Sequence, residues 1–206
     1  MENKTIITIS RQFGSGGREI GKKIADQLGI PFYDKELIEI AAKESGMDKE
    51  LFEEDDARTS KGFRLLGALG YYLGGTLSTI TELSLNDRLY LVQEEVIKGV
   101  ACEGSCVIVG RCADYVLRDR SDVLNVYIHA DMEDRKERAV HSYEVDERDI
   151  EGSIKKIDKR RANYYEYYTD RKWGRAENYD ISINSSTFGI DGTVEIIKML
   201  AQKKAL

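Results

Sequence analysis

The 206 residues include 37 acidic and 31 basic side chains, a formal charge of −6. That length suits one core with small inserts and no need of disulfide or zinc staples, and the acidic balance excludes a dedicated nucleic-acid clamp, which needs a net basic face. With 41% hydrophobic and 33% charged residues, and no apolar run of about 18 residues, the chain reads as globular without a membrane span, and its expected partner is a small molecule.

In chain order, residues 4 to 10, KTIITIS, are β-branched and nearly continuously apolar, as a parallel strand covered on both faces would be. Residues 18 to 28 place Ile20, Ile24, Ala25 and Leu28 at helical spacing, and Gly29 is a stop signal. The only proline, Pro31, falls in GIPFYD, where the chain turns after that helix toward a second short strand ending near Asp34. Further strands are expected at Cys106 to Val109, Val123 to Ile128 and Tyr179 to Ile183, each followed by a helical segment. This alternation implies a three-layer α/β fold, a parallel sheet flanked by helices. The long, mainly helical stretch before Cys106 predicts an inserted helical subdomain over about residues 35–100, loosened by Gly67, Gly70, Gly74 and Gly75. Its LLGALGYYLGG segment offers an apolar surface compatible with a homodimer. Cys102, Cys106 and Cys112 form no CxxC pair and are expected as reduced, buried thiols. No export leader is evident, so the cytoplasm is the expected location.

The loop S10-R-Q-F-G-S-G-G-R-E19 joins the first strand to the first helix, where backbone N–H groups and a helix N-terminus converge on an anion. Gly14, Gly16 and Gly17 permit tight turning and close approach to a phosphate, and Ser15 adds a hydroxyl.

Five segments together resemble the cytidylate kinase-like family, a branch of the P-loop nucleoside monophosphate kinases. They are ITISRQFGSGGREIGKKIADQLGIPFYDKELI (6–38), VIVGRCAD (107–114), YIHADMEDRKERA (127–139), IDKRRANYYEYYTDRKWG (157–174) and NYDISINSSTFGID (178–191). The resemblance implies a P-loop NTPase fold with a helical acceptor-binding insert and a helical lid over about residues 142–175. It also implies ATP and Mg²⁺, and transfer of the γ-phosphoryl group to a nucleoside monophosphate or similar acceptor. Laid over GSGKST, the chain reads GSGGRE: Gly17 stands at the lysine, Arg18 follows, and Glu19 takes the position of the hydroxyl that meets Mg²⁺, which it would reach through water. Arg18 could restore the lost charge by curling back over the loop, or lie on the outer helix face paired to a carboxylate.

On the acceptor side, Arg111 resembles the arginine of a GRD segment that holds the acceptor nucleotide, with GRC here and Asp114 two residues beyond Cys112. Asp34 is placed by the resemblance at the mouth of the acceptor site, and it would equally cap the next helix. Residues 154 to 175 carry eight basic and three acidic side chains. Against the relatives' R-D-x-x-D-x-x-R pattern, Asp158 and Arg161 match the last anchors while Ile154 replaces the first arginine, leaving Lys155 or Lys156 to stand in, with Arg171 as a further charge. Tyr164, Tyr165, Tyr167 and Tyr168 read as helix packing. By analogy Arg135 and Arg138 contact adenine or phosphate, although charges at this spacing usually face solvent. His129 reads as structural.

Two alternatives stay open: a noncatalytic nucleotide-binding regulator that has lost the lysine, and a kinase of another acceptor, since FYDKE resembles the acid-bearing acceptor segment of shikimate kinases. The charge is uneven: residues 34 to 56 hold ten acids and three lysines, a local −7, which leaves about +1 for the rest.

Overall fold

The computed structural model describes residues 4–34, 40–41, 84–143 and 149–204. The chain divides into two compact units, Met1–Tyr33 with Glu103–Leu206, and Asp34–Cys102.

The larger unit is built on five parallel strands, β1 (Ile6–Arg11), β2 (Phe32–Tyr33), β3 (Cys106–Val109), β4 (Val123–His129) and β5 (Ile181–Asn184), in the spatial order β2-β3-β1-β4-β5. β1 is central. Ile6 pairs with both Cys106 and Val123, and Ile9 with both Val109 and Val126, so both edges of the strand are occupied. Its residues Ile6 to Ser10 are all buried, the condition that a continuous β-branched run anticipates.

Helix α1 (Gly17–Leu28) follows β1 and ends on Gly29 in the left-handed conformation, whose N–H returns to the last turn. Its Ile20, Ile24 and Ala25 meet Ile7, Ile9, Val107 and Val109 of the sheet and Val194, Ile197 and Ala201 of the C-terminal helix in one apolar core. Each such fully buried isoleucine stabilises the fold by about 1.5–3 kcal/mol. The connection to β2 is short, and the Pro31 carbonyl accepts from the Val107 N–H at 2.9 Å.

In the smaller unit, α2 (Leu85–Glu103) buries Leu89, Gln93, Val96, Ile97, Val100 and Ala101 along one stripe. Its N-terminus is capped by Ser84, whose hydroxyl accepts the Asp87 N–H at 3.2 Å. Cys102 lies just beyond the stripe and is exposed, unlike Cys106 and Cys112, which corrects the expectation of three buried thiols. Residues 35–39 and 42–83 fall outside the described residues. With them go the glycines at 67, 70, 74 and 75, the LLGALGYYLGG segment and most of the acidic stretch.

After β3 comes the short helix α3 (Ala113–Val116), and after β4 the helices α4 (Met132–Tyr143) and α5 (Ile150–Thr169), which pack on each other. The final helix, α6 (Ser185–Lys204), starts directly from β5 and lies against α1 and β4. No described helix is long and apolar enough to cross a membrane.

Candidate phosphate-binding site

The loop from Gln12 to Gly16 leaves the carboxyl end of β1, the edge of a parallel sheet where ligands bind. Gly14 and Gly16 have φ of 75° and 76°, which an L side chain adopts only with strain. A Cβ on Gly14 would stand 2.5 Å from the backbone oxygen of Arg135, so the loop also lies too close to α4 for one. Gly16 is the N-cap of α1 with no side-chain cap, and the first helical bond runs from Ile20 N–H to its carbonyl. The amides of that first turn therefore face the loop's outer side.

The loop is held from the other side through its carbonyls. Arg135 of α4 donates from Nε to the Phe13 carbonyl at 2.7 Å, Arg138 donates to that of Gly14 at 3.1 Å, and Arg161 of α5 to that of Arg11 at 3.1 Å. Ser185, fully buried at the start of α6, donates to the Ser15 carbonyl at 2.7 Å. Because a trans peptide points its C=O and N–H in opposite directions, fixing the carbonyls of Phe13, Ser15 and Gly16 turns the N–H groups of Gly14, Gly16 and Gly17 away from Arg135, Ser185 and Ile20 in turn. Successive amides of a glycine loop at a helix start are the groups that bind anions in such loops. Ser15 is the exception: its N–H and hydroxyl both bond the Gln12 carbonyl, at 3.3 and 2.8 Å, so this hydroxyl is turned into the loop.

Asp158 accepts the Phe13 N–H at 2.7 Å and also bonds the Arg135 guanidinium. Arg161 adds a cation over the Phe13 ring at 5.6 Å. Arg135, Arg138, Asp158 and Arg161 thus converge on the backbone of residues 11–14. Arg135 is 5% exposed, a correction to the solvated reading of that helix: its charge is matched by Asp158 and a carbonyl. Ile154 is fully buried, which gives a physical reason for an apolar residue where the relatives' pattern has arginine.

Arg18, Glu19 and Lys155 face solvent. Lys155 is exposed and pairs with Glu151 at 2.7 Å. Glu19 is exposed beside Lys23 at 3.2 Å, and Arg18 is exposed on the first turn of α1. Among the described residues no group of three or more His, Cys, Asp or Glu is arranged to hold a metal. Asp34 follows β2 and is 9% exposed. Arg111 and Cys112 follow β3 with φ of 56° and 55°, two consecutive left-handed residues without glycine's freedom, the kind of strain that marks functional loops. His129 ends β4, its ring stacked on Tyr127 at 6.4 Å.

Beside the loop, Tyr165 of α5 donates its hydroxyl to Asp114 of α3 at 2.7 Å, with both residues buried. Burial pushes the Asp114 carboxyl above the usual carboxylate range, against the pull of the Tyr165 hydrogen bond and the nearby Arg171 charge. Arg171 itself is exposed and lies over the Tyr115 ring at 5.1 Å. Tyr165 thus makes a specific polar latch as well as helix packing, whereas Tyr167 is exposed.

Residues 6–187 match the model of the cytidylate kinase-like family. This chain belongs to that family. A solved structure of an uncharacterized protein from Eubacterium ventriosum ATCC 27560 is 27% identical with a TM-score of 0.72, over 97% of this chain and 99% of that one. Shikimate kinase from Bacteroides thetaiotaomicron, 14% identical, has a TM-score of 0.56 over 96% of this chain and 98% of its own. Shikimate kinase from Acinetobacter baumannii, solved in complex with shikimate, is also 14% identical, with a TM-score of 0.55 over 100% and 97%. These two likenesses establish the P-loop kinase fold. A search of the curated proteins finds no match.

Against the family background, one site residue escaped the sequence reading. The full phosphate-loop pattern GxxxxGK[ST], with its lysine (the Walker lysine) on Gly17, puts its first glycine on Arg11 and its hydroxyl on Arg18, which corrects the placement of Glu19 at that hydroxyl to one residue beyond it. Arg11 is the last residue of β1. A Cβ on Gly17 would be 2.6 Å from its Cβ and 3.0 Å from its Cγ, and one on Gly110 would run into its guanidinium. The Arg11 side chain therefore starts beside Gly17 and ends on Gly110, after β3. The signal was present in this cytidylate kinase-like sequence as an arginine where the full pattern demands glycine.

Proposed function

We propose that this protein is an ATP-dependent phosphotransferase of cytidylate kinase-like type, which moves the γ-phosphoryl group of ATP to a nucleoside monophosphate or a similar small acceptor. The observation that supports this reading is the bracing of residues 11–16 through their carbonyls, which turns the Gly14, Gly16 and Gly17 amides away from the groups that hold the loop at the start of α1. In phosphoryl transfer the protein supplies positioning and charge more than covalent chemistry, and a preorganised amide cradle is that kind of contribution.

In this reading Arg18 and Arg161 offset phosphate charge. Lys155 and Arg171 are outer cations of the lid. Arg111 and Asp34 are the acceptor-side residues that the family resemblance offers. Asp158, engaged with Phe13 and Arg135, acts through the loop. Mg²⁺ would come with the triphosphate and neutralise its developing charge. Glu19, one turn into α1, would hold that ion through a water and not directly. The absence of both the Walker lysine and its following hydroxyl leaves the charge balance of the site to arginines.

The test is to incubate the protein with MgATP and a panel of nucleoside monophosphates, with shikimate included, and to follow ADP. Acceptor-dependent ADP, with a cytidine or uridine monophosphate preferred, is the expected result. Measurable ATP binding with no acceptor-dependent ADP would overturn the catalytic reading in favour of a nucleotide-binding regulator. Equal turnover of shikimate and cytidine monophosphate would overturn the acceptor class.

A further inference from the structure

We infer that Arg11 is the cation that meets the β and γ phosphates at this site, in place of the missing Walker lysine, and that Arg11 and Gly17 are two halves of one exchange. The inference rests on the phosphate-loop reading above and names the charge that completes it.

Three observations carry it. In sequence, the glycine and the lysine of GxxxxGK have traded chemistry: the small residue stands at 17 and the cation at 11. In space, the Arg11 stem occupies the volume into which a side chain on residue 17 would grow, since the Cβ of such a side chain would be 2.6 Å from the Arg11 Cβ. The guanidinium then lies over Gly110, so the charge sits at the carboxyl ends of β1 and β3, on the edge of the sheet where α1 begins. An ordinary residue is excluded at 110 as well, where φ is +79°. The site thus has two glycines whose missing side chains make room for one arginine.

The Arg11 backbone is fixed independently of its charge. Its carbonyl accepts from Arg161 at 3.1 Å, and its strand pairing sets it opposite Ile128. A side chain anchored in this way approaches from the strand side of the loop, whereas a lysine at 17 would approach from the helix side. A planar guanidinium can bind two phosphate oxygens at once, which a lysine ammonium does as a point charge. Arg18, by contrast, is exposed on the first turn of α1.

The experiment measures binding of Mg²⁺-tripolyphosphate, MgATP and AMP by calorimetry to the wild-type protein and to Arg11→Gln, Arg11→Lys, Arg18→Gln and the reciprocal pair Arg11→Gly with Gly17→Lys. The fluorescence of Trp173 confirms that each variant is folded. Arg11→Gln keeps most of the stem and removes the charge. It should weaken tripolyphosphate and ATP about 10- to 100-fold, the range for a hydrogen bond to a charged group, and leave AMP unchanged. Arg11→Lys should recover part of the loss, and Arg18→Gln, which removes a cation that is exposed on the first turn of α1, should weaken tripolyphosphate less than Arg11→Gln does. The reciprocal pair, which restores GxxxxGK, should bind tripolyphosphate at least about tenfold more tightly than Arg11→Gln. The inference is overturned if folded Arg11→Gln binds tripolyphosphate like the wild type, or if Arg18→Gln carries the larger loss. A wild-type protein that binds neither tripolyphosphate nor ATP overturns the phosphate-loop reading itself, a result visible before any substitution is made.

Discussion

Asp158→Ala should behave as a phosphate-loop mutation although it lies in α5. The carboxylate holds the Phe13 N–H at 2.7 Å and the guanidinium of Arg135, while Arg135 holds the Phe13 carbonyl at 2.7 Å. The two side chains are only 16% and 6% exposed. Truncating one partner leaves a buried cation and an unpaired amide, which costs about 3–5 kcal/mol. In a chain of this size each kcal/mol shifts Tm by about 2–4 °C, so a fall of about 6–20 °C is expected. Asp158→Asn keeps an acceptor for Phe13 but loses the charge, and should cost about 1.5–3 kcal/mol. Arg135→Met combined with Asp158→Leu removes the stranded charge, so the pair should cost less than the two single changes added together, with a coupling of about 1–3 kcal/mol. Urea unfolding followed by the single tryptophan, Trp173, reads this directly, because its ring packs edge-on against Tyr127 of β4 at 5.5 Å. A loss below about 1 kcal/mol for Asp158→Ala, or additivity within about 0.5 kcal/mol in the cycle, would refute the clamp.

Three further expectations can be checked with the same preparations. Gly14→Ala forces a Cβ against the Arg135 backbone at a positive φ and should cost about 2 kcal/mol or more, with loss of ATP binding in calorimetry. Tyr165→Phe strips Asp114 of its donor and should cost about 1–3 kcal/mol near neutral pH. Because the folded carboxyl is raised above its unfolded value, the contribution of Asp114 is fully present below the unfolded pKa and lost as pH rises through the folded one. The Tyr165→Phe deficit should therefore shrink on acidification, as seen in urea midpoints from pH 7 down to pH 5. At alkaline pH the order is similar: burial pushes the Cys106 thiol and the Tyr179 phenol up to about 12, from 9.0 and 10.0. The unfolded chain then ionises first, so each group lowers stability by about 1.4 kcal/mol per pH unit between its two values, and Trp173 should report unfolding that steepens above about pH 10.

What was legible in the sequence was local. A β-branched run needs only its own residues to predict a buried parallel strand, and β3 falls at Cys106 to Val109 as expected. α1 and its Gly29 stop follow from 3.6-residue spacing and a left-handed cap, both short-range signals. The glycines of the loop were legible for the same reason. The direction in which a charged side chain points was not. The DMEDRKERA helix has charges at spacings that look solvated, and only the approach of α5 and the loop buries Arg135. Asp158 reads as a ligand-facing anchor by pattern, yet the packing of α5 aims its carboxylate at Phe13. Arg11 is not legible in this way, because only the fold brings its side chain beside both Gly17 and Gly110, which lie 6 and 99 residues away.

The bracing of the loop explains why cations do this work and not neutral donors. Serine or asparagine could hold a carbonyl as well as Arg135, Arg138 or Arg161 does, as Ser185 shows at residue 15. In the proposed reading, guanidinium groups add positive potential behind amides that present their positive ends to a phosphate. Inside a partly desolvated site that potential is screened less than in bulk water. Asp158 pairs with one of the three and tempers its charge, so the effect of the other two should depend on where each lies. Arg138→Gln removes a cation that bonds the Gly14 carbonyl from the α4 side, behind the amides. It should therefore weaken tripolyphosphate binding less than Arg11→Gln, whose charge is placed at the front. Equal losses from the two substitutions would mean that the loop responds to summed charge and not to geometry, and the position of the Arg11 stem between Gly17 and Gly110 would then have no consequence for binding.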